Sequence, residues 1–177
     1  YLNKRDAESI LEGRDLFRAF ESFWSTREIN SREAKTSSSA YTWYPQTEFC
    51  YMRAGDVFFA AKGGYNNESH NHNDVGSFMY YFKGKPFLID AGVGTYTKFT
   101  FSSQRYTIWT MQSDYHNLPK VNGFSQPNGA QFKSRNASFN PASMAFNLDI
   151  ANAYPTDAGI KNWWLRYALA ADGSLSL

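Results

Sequence analysis

Cysteine, charge of one sign and long apolar runs are all scarce in this chain of 177 residues. The single cysteine, Cys50, excludes an internal disulfide, and with it a small secreted domain stapled by disulfides. A net charge of +2 gives no strong field of the kind that would predict binding to nucleic acid or to an anionic membrane. No run of about 18 apolar residues is present, so the sequence predicts no membrane span.

The two ends of the chain suggest a fragment of a longer protein. The first residues, Tyr1–Arg5, do not lead into an apolar stretch and so do not predict a signal peptide. The last residues predict a strand over Trp163–Leu169, a turn at Asp172-Gly173 and a further strand that stops at Leu177. The length fits one domain better than two.

Aromatic residues make up 18% of the chain, which is a high share. Tyrosine and tryptophan are common in β-strands, and the strand propensity of these residues alone accounts for the richness. Flat rings also stack on sugar faces, so a carbohydrate-binding surface is a second explanation.

The chain changes character near residue 40. Residues 4–24 are predicted to be helical, because apolar side chains recur at three- and four-residue steps. Residues 25–40 are polar and contain Thr36-Ser37-Ser38-Ser39, which is typical of a loop or linker. We therefore expect a helical segment or linker over residues 1–40, and a β domain, truncated at its C-terminal end, over residues 41–177.

From Tyr41 onward, short aromatic and β-branched runs alternate with turn residues. The predicted strands are Thr42–Pro45, Phe49–Ala54, Val57–Ala61, Ser77–Phe82, Pro86–Asp90 and Trp163–Leu169. Lys83-Gly84-Lys85 is a good hairpin turn. This pattern predicts an antiparallel β-sandwich. A stretch from about residue 91 to residue 143 has weak periodicity, and a loop of that length inside a compact domain is usually functional.

The densest polar cluster, NNESHNHND at residues 66–74, holds two of the three histidines in the chain. On an extended backbone, residues i and i+2 point to the same face, so His70 and His72 are predicted to reach one pocket. Asp90 ends an apolar strand, and His116, the third histidine, lies in the long loop region.

Two imidazoles and a carboxylate suit Zn²⁺, with a fourth position left for water or another group. The alternative is a pair of hydrogen-bonding histidines on a surface strand. Two other patterns carry less chemistry. Gly92-Val93-Gly94 neither continues as a dinucleotide fingerprint nor opens a helix, and Cys50 is predicted to be a core residue.

Three motifs in order resemble the heparinase II/III-like family. They are KGGYNNESHNHNDVG at residues 62–76, FLIDAGVGTY at residues 87–96, and RYTIWTMQSDYHNLP at residues 105–119 with Val121-Asn122-Gly123 after it. The resemblance covers roughly residues 41–135. It implies a polysaccharide lyase with an N-terminal helical toroid and a C-terminal antiparallel β-sandwich. Such enzymes cleave uronate-containing glycans by β-elimination.

The resemblance also implies roles for particular residues. His72, Asp90 and His116 match the zinc ligands, and His70 matches a histidine that points into the active cleft. Arg105 and Tyr106 resemble an Arg-Tyr pair near the cleft, so the resemblance implies His70, Arg105 and Tyr106 as the catalytic residues of this chain. The principal catalytic tyrosine and the group that neutralises the substrate carboxylate come from the toroid in this family, so we expect only half of the active site in these residues.

Several expectations follow. The partners are an acidic polysaccharide and the helical toroid, and an exposed apolar docking face could also support a homodimer. The location is periplasmic or secreted in a bacterium, which a lone cysteine does not exclude. Two alternatives to the lyase are a non-catalytic carbohydrate-binding sandwich and a zinc-dependent glycan hydrolase.

Overall fold

The computed structural model describes residues 16–31 and 39–177. The chain divides into two compact units, residues 1–38 and residues 39–177. In the first unit, helix α1 spans Leu16–Ser31. In the described part of the chain, no helix is long and apolar enough to cross a membrane.

The helix prediction is confirmed for residues 16–24, while residues 4–15 lie outside the described residues. The predicted loop over residues 25–40 is wrong for its first part, because α1 continues to Ser31. Residues 25–31 contain neither glycine nor proline, so nothing in their backbone chemistry ends a helix, although their polarity resembles that of a loop. Residues 32–38 are outside the described part.

The second unit consists of antiparallel strands. The strands of this unit are β1 (Tyr41–Tyr44), β2 (Phe49–Ala54), β3 (Val57–Lys62), β4 (Tyr65–Asn66), β5 (Phe78–Phe82), β6 (Lys85–Leu88), β7 (Gly129–Lys133), β8 (Arg135–Asn140), β9 (Ala145–Asp149), β10 (Trp164–Leu169) and β11 (Leu175–Ser176). The first sheet has the order β1-β2-β3-β5-β6, and the second has the order β11-β10-β9-β8. Strands β4 and β7 form a separate two-stranded ribbon.

The core lies between the two larger sheets. Phe59 of β3 and Tyr167 of β10 pack with ring centroids 5.3 Å apart, and Trp43 of β1 reaches Phe146 of β9 at 5.3 Å. Phe59 and Phe146 are completely buried. Because side chains alternate along a strand, Phe58 points to the other face of the first sheet. The predicted antiparallel β-sandwich is confirmed.

The six strands predicted with explicit bounds are confirmed, with ends that differ by no more than two residues, and the further strand predicted after Asp172-Gly173 is β11. The sequence analysis missed β4, β7, β8 and β9, and the predicted loop over residues 91–143 is wrong where β7 and β8 lie. Strand β8 alternates between half-buried and exposed side chains, and its sequence RNASFN is largely polar. Residues 89–128 do form a long connection, with short 3₁₀ turns at Arg105–Thr107, Trp109–Met111 and Ser113–Tyr115.

The loop between β4 and β5 is fixed on the core at Gly76. This residue has φ +89°, and a Cβ there would lie 2.9 Å from Ile150 Cγ2 and 3.0 Å from Leu165 Cδ1. The hydroxyl of the buried Tyr167 donates to the Gly76 carbonyl at 2.5 Å. Only glycine satisfies both the backbone conformation and the close approach.

Candidate metal centre and adjoining clefts

Four side chains from three segments converge at one edge of the sandwich. Their potential ligand atoms all lie within 4.8 Å of one another, and they belong to His72, Asp74, Asp90 and His116. His72 and Asp74 come from the loop between β4 and β5, Asp90 follows β6, and His116 follows the third 3₁₀ turn. The three ligands predicted from the sequence are thus brought together.

His116 is held in one tautomer by the backbone. Its Nε2 lies 3.2 Å from the carbonyl oxygen of Thr110, so in the neutral ring the proton belongs on Nε2 and the lone pair on Nδ1. That Nδ1 lies 2.8 Å from Asp90 Oδ2, yet among the described residues it is buried without a hydrogen-bond partner. Two adjacent acceptors aimed at one point suit a shared cation, and the carbonyl contact is the outer-shell support typical of metal-binding histidines.

The electrostatics of the cluster favour the deprotonated, metal-binding forms of Asp90 and His72. Contact with the His116 ring holds the pKa of the Asp90 carboxyl below its usual range. Burial lowers the pKa of His72, which favours the neutral imidazole that metals bind. For His116, burial acts to lower the pKa, but the Asp90 and Asp74 carboxylates outweigh it and raise the pKa. A metal at this site therefore competes with a proton on His116.

The sequence analysis missed Asp74 and its partner Lys62. Lys62 Nζ lies 2.7 Å from Asp74 Oδ1 and 3.6 Å from Glu68 Oε2, with both carboxylates largely buried. Asp74 stands two residues after His72, and this spacing was the available signal. Two histidines and two carboxylates form a donor set that fits Zn²⁺.

His70 lies beside the metal centre and outside its ligand set. It is an exposed turn residue with φ +58°, so the predicted extended backbone is wrong here. The left-handed conformation directs its ring toward Phe101, at a centroid distance of 5.6 Å. His70 and His72 nevertheless line one cavity, as predicted, and Asp90 is on the same wall.

Arg105 and Tyr106 both donate hydrogen bonds to Asn71. The Nε and Nη2 atoms of Arg105 donate to the Asn71 backbone carbonyl, at 3.1 and 2.9 Å, and Nη1 donates to Thr100 at 2.7 Å. The Tyr106 hydroxyl donates to Asn71 Oδ1 at 2.8 Å. Three of the five guanidinium N–H groups are thus used on carbonyls, so Arg105 supports the loop that carries the histidines.

Two clefts meet at the segment Glu68–Asn71. One, of about 370 Å³, is lined by His72, Asp90 and the aromatic residues Phe49 and Tyr51. The other, of about 460 Å³, is lined by Arg105, Tyr106, Phe101 and neighbouring polar groups. Glu68, Ser69, His70 and Asn71 line both clefts, and the exposed imidazole of His70 can meet a ligand from either side.

Gln126 is a second supporting residue that the sequence analysis missed. Its side-chain Oε1 accepts from the Val75 backbone N–H at 3.0 Å, and its Nε2 donates to the Val75 carbonyl at 2.8 Å. It also accepts from Asn66 Nδ2 at 3.2 Å. A buried glutamine in a loop carries no sequence signal for this strand-like pairing.

The antiparallel β-sandwich thus carries a histidine–aspartate cluster beside one cleft, and a second cleft adjoins the first at His70. The Heparinase II/III-like, C-terminal family matches residues 36–166. The chain belongs to this family. A search of curated proteins gave no match.

Two solved structures share the fold. A heparinase III gene product with methylated lysines has a TM-score of 0.57 at 16% identity, over 95% of this chain and 25% of that one. The heparan sulfate lyase HepC from Pedobacter heparinus has a TM-score of 0.51 at 18% identity, over 82% of this chain and 22% of that one. The chain thus spans about a quarter of the length of these lyases.

Proposed function

We propose that this domain supplies the zinc centre and part of the active cleft of a polysaccharide lyase. The substrate is a uronate-containing glycan, glycosaminoglycan-like or alginate-like, which is cleaved by β-elimination. The observation that carries the proposal is the convergence of His72, Asp90 and His116 beside a cavity that His70 lines. Family membership supports the same reaction class.

β-Elimination explains why a histidine is needed at the cleft. The reaction removes the proton at C5 of the uronate and expels the glycosidic oxygen at C4. That proton is weakly acidic, so a base must lie within hydrogen-bond reach and the carboxylate must be neutralised. His70 is exposed to both clefts and is assigned the role of base or carboxylate partner.

Zinc bound by His72, Asp90 and His116 would be chiefly structural, and its binding free energy would add to the folding free energy. The ligand residues come from separate segments, so together they fix the loop around residue 116 against the loop between β4 and β5. Asp74 adds a fourth candidate ligand, a carboxylate that Lys62 orients.

The proposal includes partners and a location. A helical toroid domain would provide the remaining catalytic groups, and the enzyme would act in the bacterial periplasm or outside the cell. A second copy of the chain is a further proposed partner. The connection over residues 89–128 exposes large apolar side chains that would be available for such contacts. They are Ile89, Val93, Tyr96, Phe99, Phe101, Trp109, Tyr115 and Phe124.

The test compares the complete natural protein with these 177 residues alone. Each is incubated with heparan, chondroitin, hyaluronan and alginate, and the ultraviolet absorbance of the unsaturated uronate is followed. We expect turnover by the complete protein, a loss of at least about a hundredfold in His70→Ala, and no turnover by the isolated chain. New reducing ends without absorbance would indicate a hydrolase, and binding without cleavage would indicate a carbohydrate-binding module.

A further inference from the structure

Asn71 joins the ligand loop to the segment that carries Arg105 and Tyr106. It is 8% exposed and lies between His70 and His72. Its Nδ2 donates to the His72 carbonyl at 2.8 Å, and its Oδ1 accepts from the Tyr106 hydroxyl at 2.8 Å. Its backbone carbonyl accepts the two bonds from Arg105. Both ends of the amide are therefore in use.

The His72 carbonyl fixes the orientation of this amide. A carbonyl oxygen can only accept a hydrogen bond, so the amide nitrogen must face it. Turning the amide over would place Oδ1 against the His72 oxygen, as two acceptors without a proton between them. With Oδ1 facing Tyr106, the tyrosine must be the donor, and its single proton is committed to Asn71.

Tyr106 lines the cleft of about 460 Å³ together with His70. Because its proton points to Asn71, it presents only oxygen lone pairs to that cleft. We propose that Asn71 is a positioning residue that makes Tyr106 a hydrogen-bond acceptor toward the glycan. Tyr106 thereby selects a sugar with a donor, a free hydroxyl or an amide N–H, where the sugar meets it. This inference rests on the proposed function.

A sugar that carries a sulfate or acetate ester at that position offers only acceptor oxygens. The ester would face the Tyr106 lone pairs with no proton between them, and the bond made by a free hydroxyl would be lost. Sites built to hydrogen-bond a substrate hydroxyl discriminate strongly against analogues that lack it. For a neutral bond of this kind we expect a preference of about tenfold in kcat/KM.

The first arm of the test locates the proton and needs no activity. Neutron diffraction from deuterium-exchanged crystals of this chain should show deuterium on the Tyr106 hydroxyl directed at Asn71 Oδ1, and the amide ND₂ facing the His72 carbonyl. Deuterium that points from Tyr106 into the cleft, or an inverted amide, would overturn the inference.

The second arm measures selection with the complete protein. The probes are paired glycans: heparosan and its O-sulfated form, chondroitin and its O-sulfated form, and alginate with and without O-acetylation. The wild type should prefer the free-hydroxyl member of the pair that it cleaves by about tenfold. Tyr106→Phe and Asn71→Leu should reduce this preference to about twofold or less, because no oriented acceptor remains.

The matched control is Tyr44→Phe, at an exposed tyrosine of β1 that lines neither cleft. It should keep the wild-type preference. A purely structural role for Asn71 would lower turnover of both probes equally and leave their ratio unchanged, which would contradict the inference. Failure of the wild type to cleave any probe would instead overturn the proposed function and the selection that depends on it. The proton position would then still decide the role of Asn71.

Discussion

Between the two larger sheets, Phe59 and Tyr167 pack ring against ring. Around the candidate metal centre, by contrast, Asn71 and Gln126 form hydrogen bonds with backbone carbonyl and N–H groups. The first region gains stability from apolar area removed from water. This gain depends mainly on the volume of the side chains and tolerates changes in their exact shape. The second gains it from directed polar bonds, which fail when one partner is lost. The sandwich therefore determines where the site lies. The polar residues around it, Asn71 and Gln126, which we call the polar shell, determine its geometry.

The largest expected effect is in the core. Phe59→Ala should reduce the free energy of unfolding by about 3–5 kcal/mol, because a completely buried ring leaves a cavity. Urea denaturation followed by tryptophan fluorescence measures this. The matched control, Phe58→Ala on the opposite face of β3, should cost less than half as much, since Phe58 is only half-buried. Equal costs would show that the face assignment of β3 is wrong.

A substitution in the polar shell should have an intermediate effect on the free energy of unfolding. Gln126→Met keeps the volume but leaves the buried Val75 N–H and carbonyl without their partners. This should cost about 2–3 kcal/mol in urea denaturation. Gln46→Met, at an exposed turn, should change the free energy of unfolding by less than about 0.5 kcal/mol. A near-zero cost at Gln126 would mean that the polar shell is not a source of stability.

The smallest expected effect is on the pH dependence of the free energy of unfolding in acid, through Asp149. Burial acts to raise the pKa of Asp149, but bonds from the Trp163 and Ala151 N–H groups and from Arg135 outweigh it and lower the pKa. The folded pKa lies below the unfolded value, so this contribution is present above about pH 4 and is lost as the pH falls through the folded pKa.

Asp149→Asn should therefore flatten the dependence of the free energy of unfolding on pH below about pH 4. Urea denaturation at a series of acidic pH values measures the slope. The exposed Asp157→Asn serves as the control and should retain the wild-type slope. An unchanged slope in Asp149→Asn would remove this carboxylate from the account of acid stability.

Local sequence patterns predict the core better than the shell. Strands β2 and β3 can be predicted because FCYMRA and VFFAAK are short, aromatic-rich apolar runs bounded by turn residues. Strand β8 cannot be predicted in this way, because its sequence RNASFN is largely polar and its pairing with β9, which is not local in sequence, makes it a strand. The helix extension to Ser31 shows the reverse error, since polarity alone does not end a helix.

The site divides in the same way. His72, Asp90 and His116 were predictable from the motifs, since their residue types suit zinc and their order matches the family. Asn71 and Gln126 were not, because their partners Tyr106 and Val75 lie 35 and 51 residues away in the sequence. The extended backbone predicted for His70 is wrong, because this residue has a positive φ, although His70 and His72 line one cavity as predicted. The catalytic roles of His70, Arg105 and Tyr106 stay predictions.

Zinc binding tests the central claim most directly. Chelator-treated chain is titrated with Zn²⁺, and metal content and melting temperature are measured for the wild type and four variants, namely His72→Ala, Asp90→Ala, His116→Ala and His70→Ala. The wild type should bind about one equivalent and melt at a higher temperature with zinc. The first three variants should lose both properties, whereas His70→Ala should keep both. Less than about a tenth of an equivalent in the wild type, or loss of zinc in His70→Ala alone, would contradict the assigned centre.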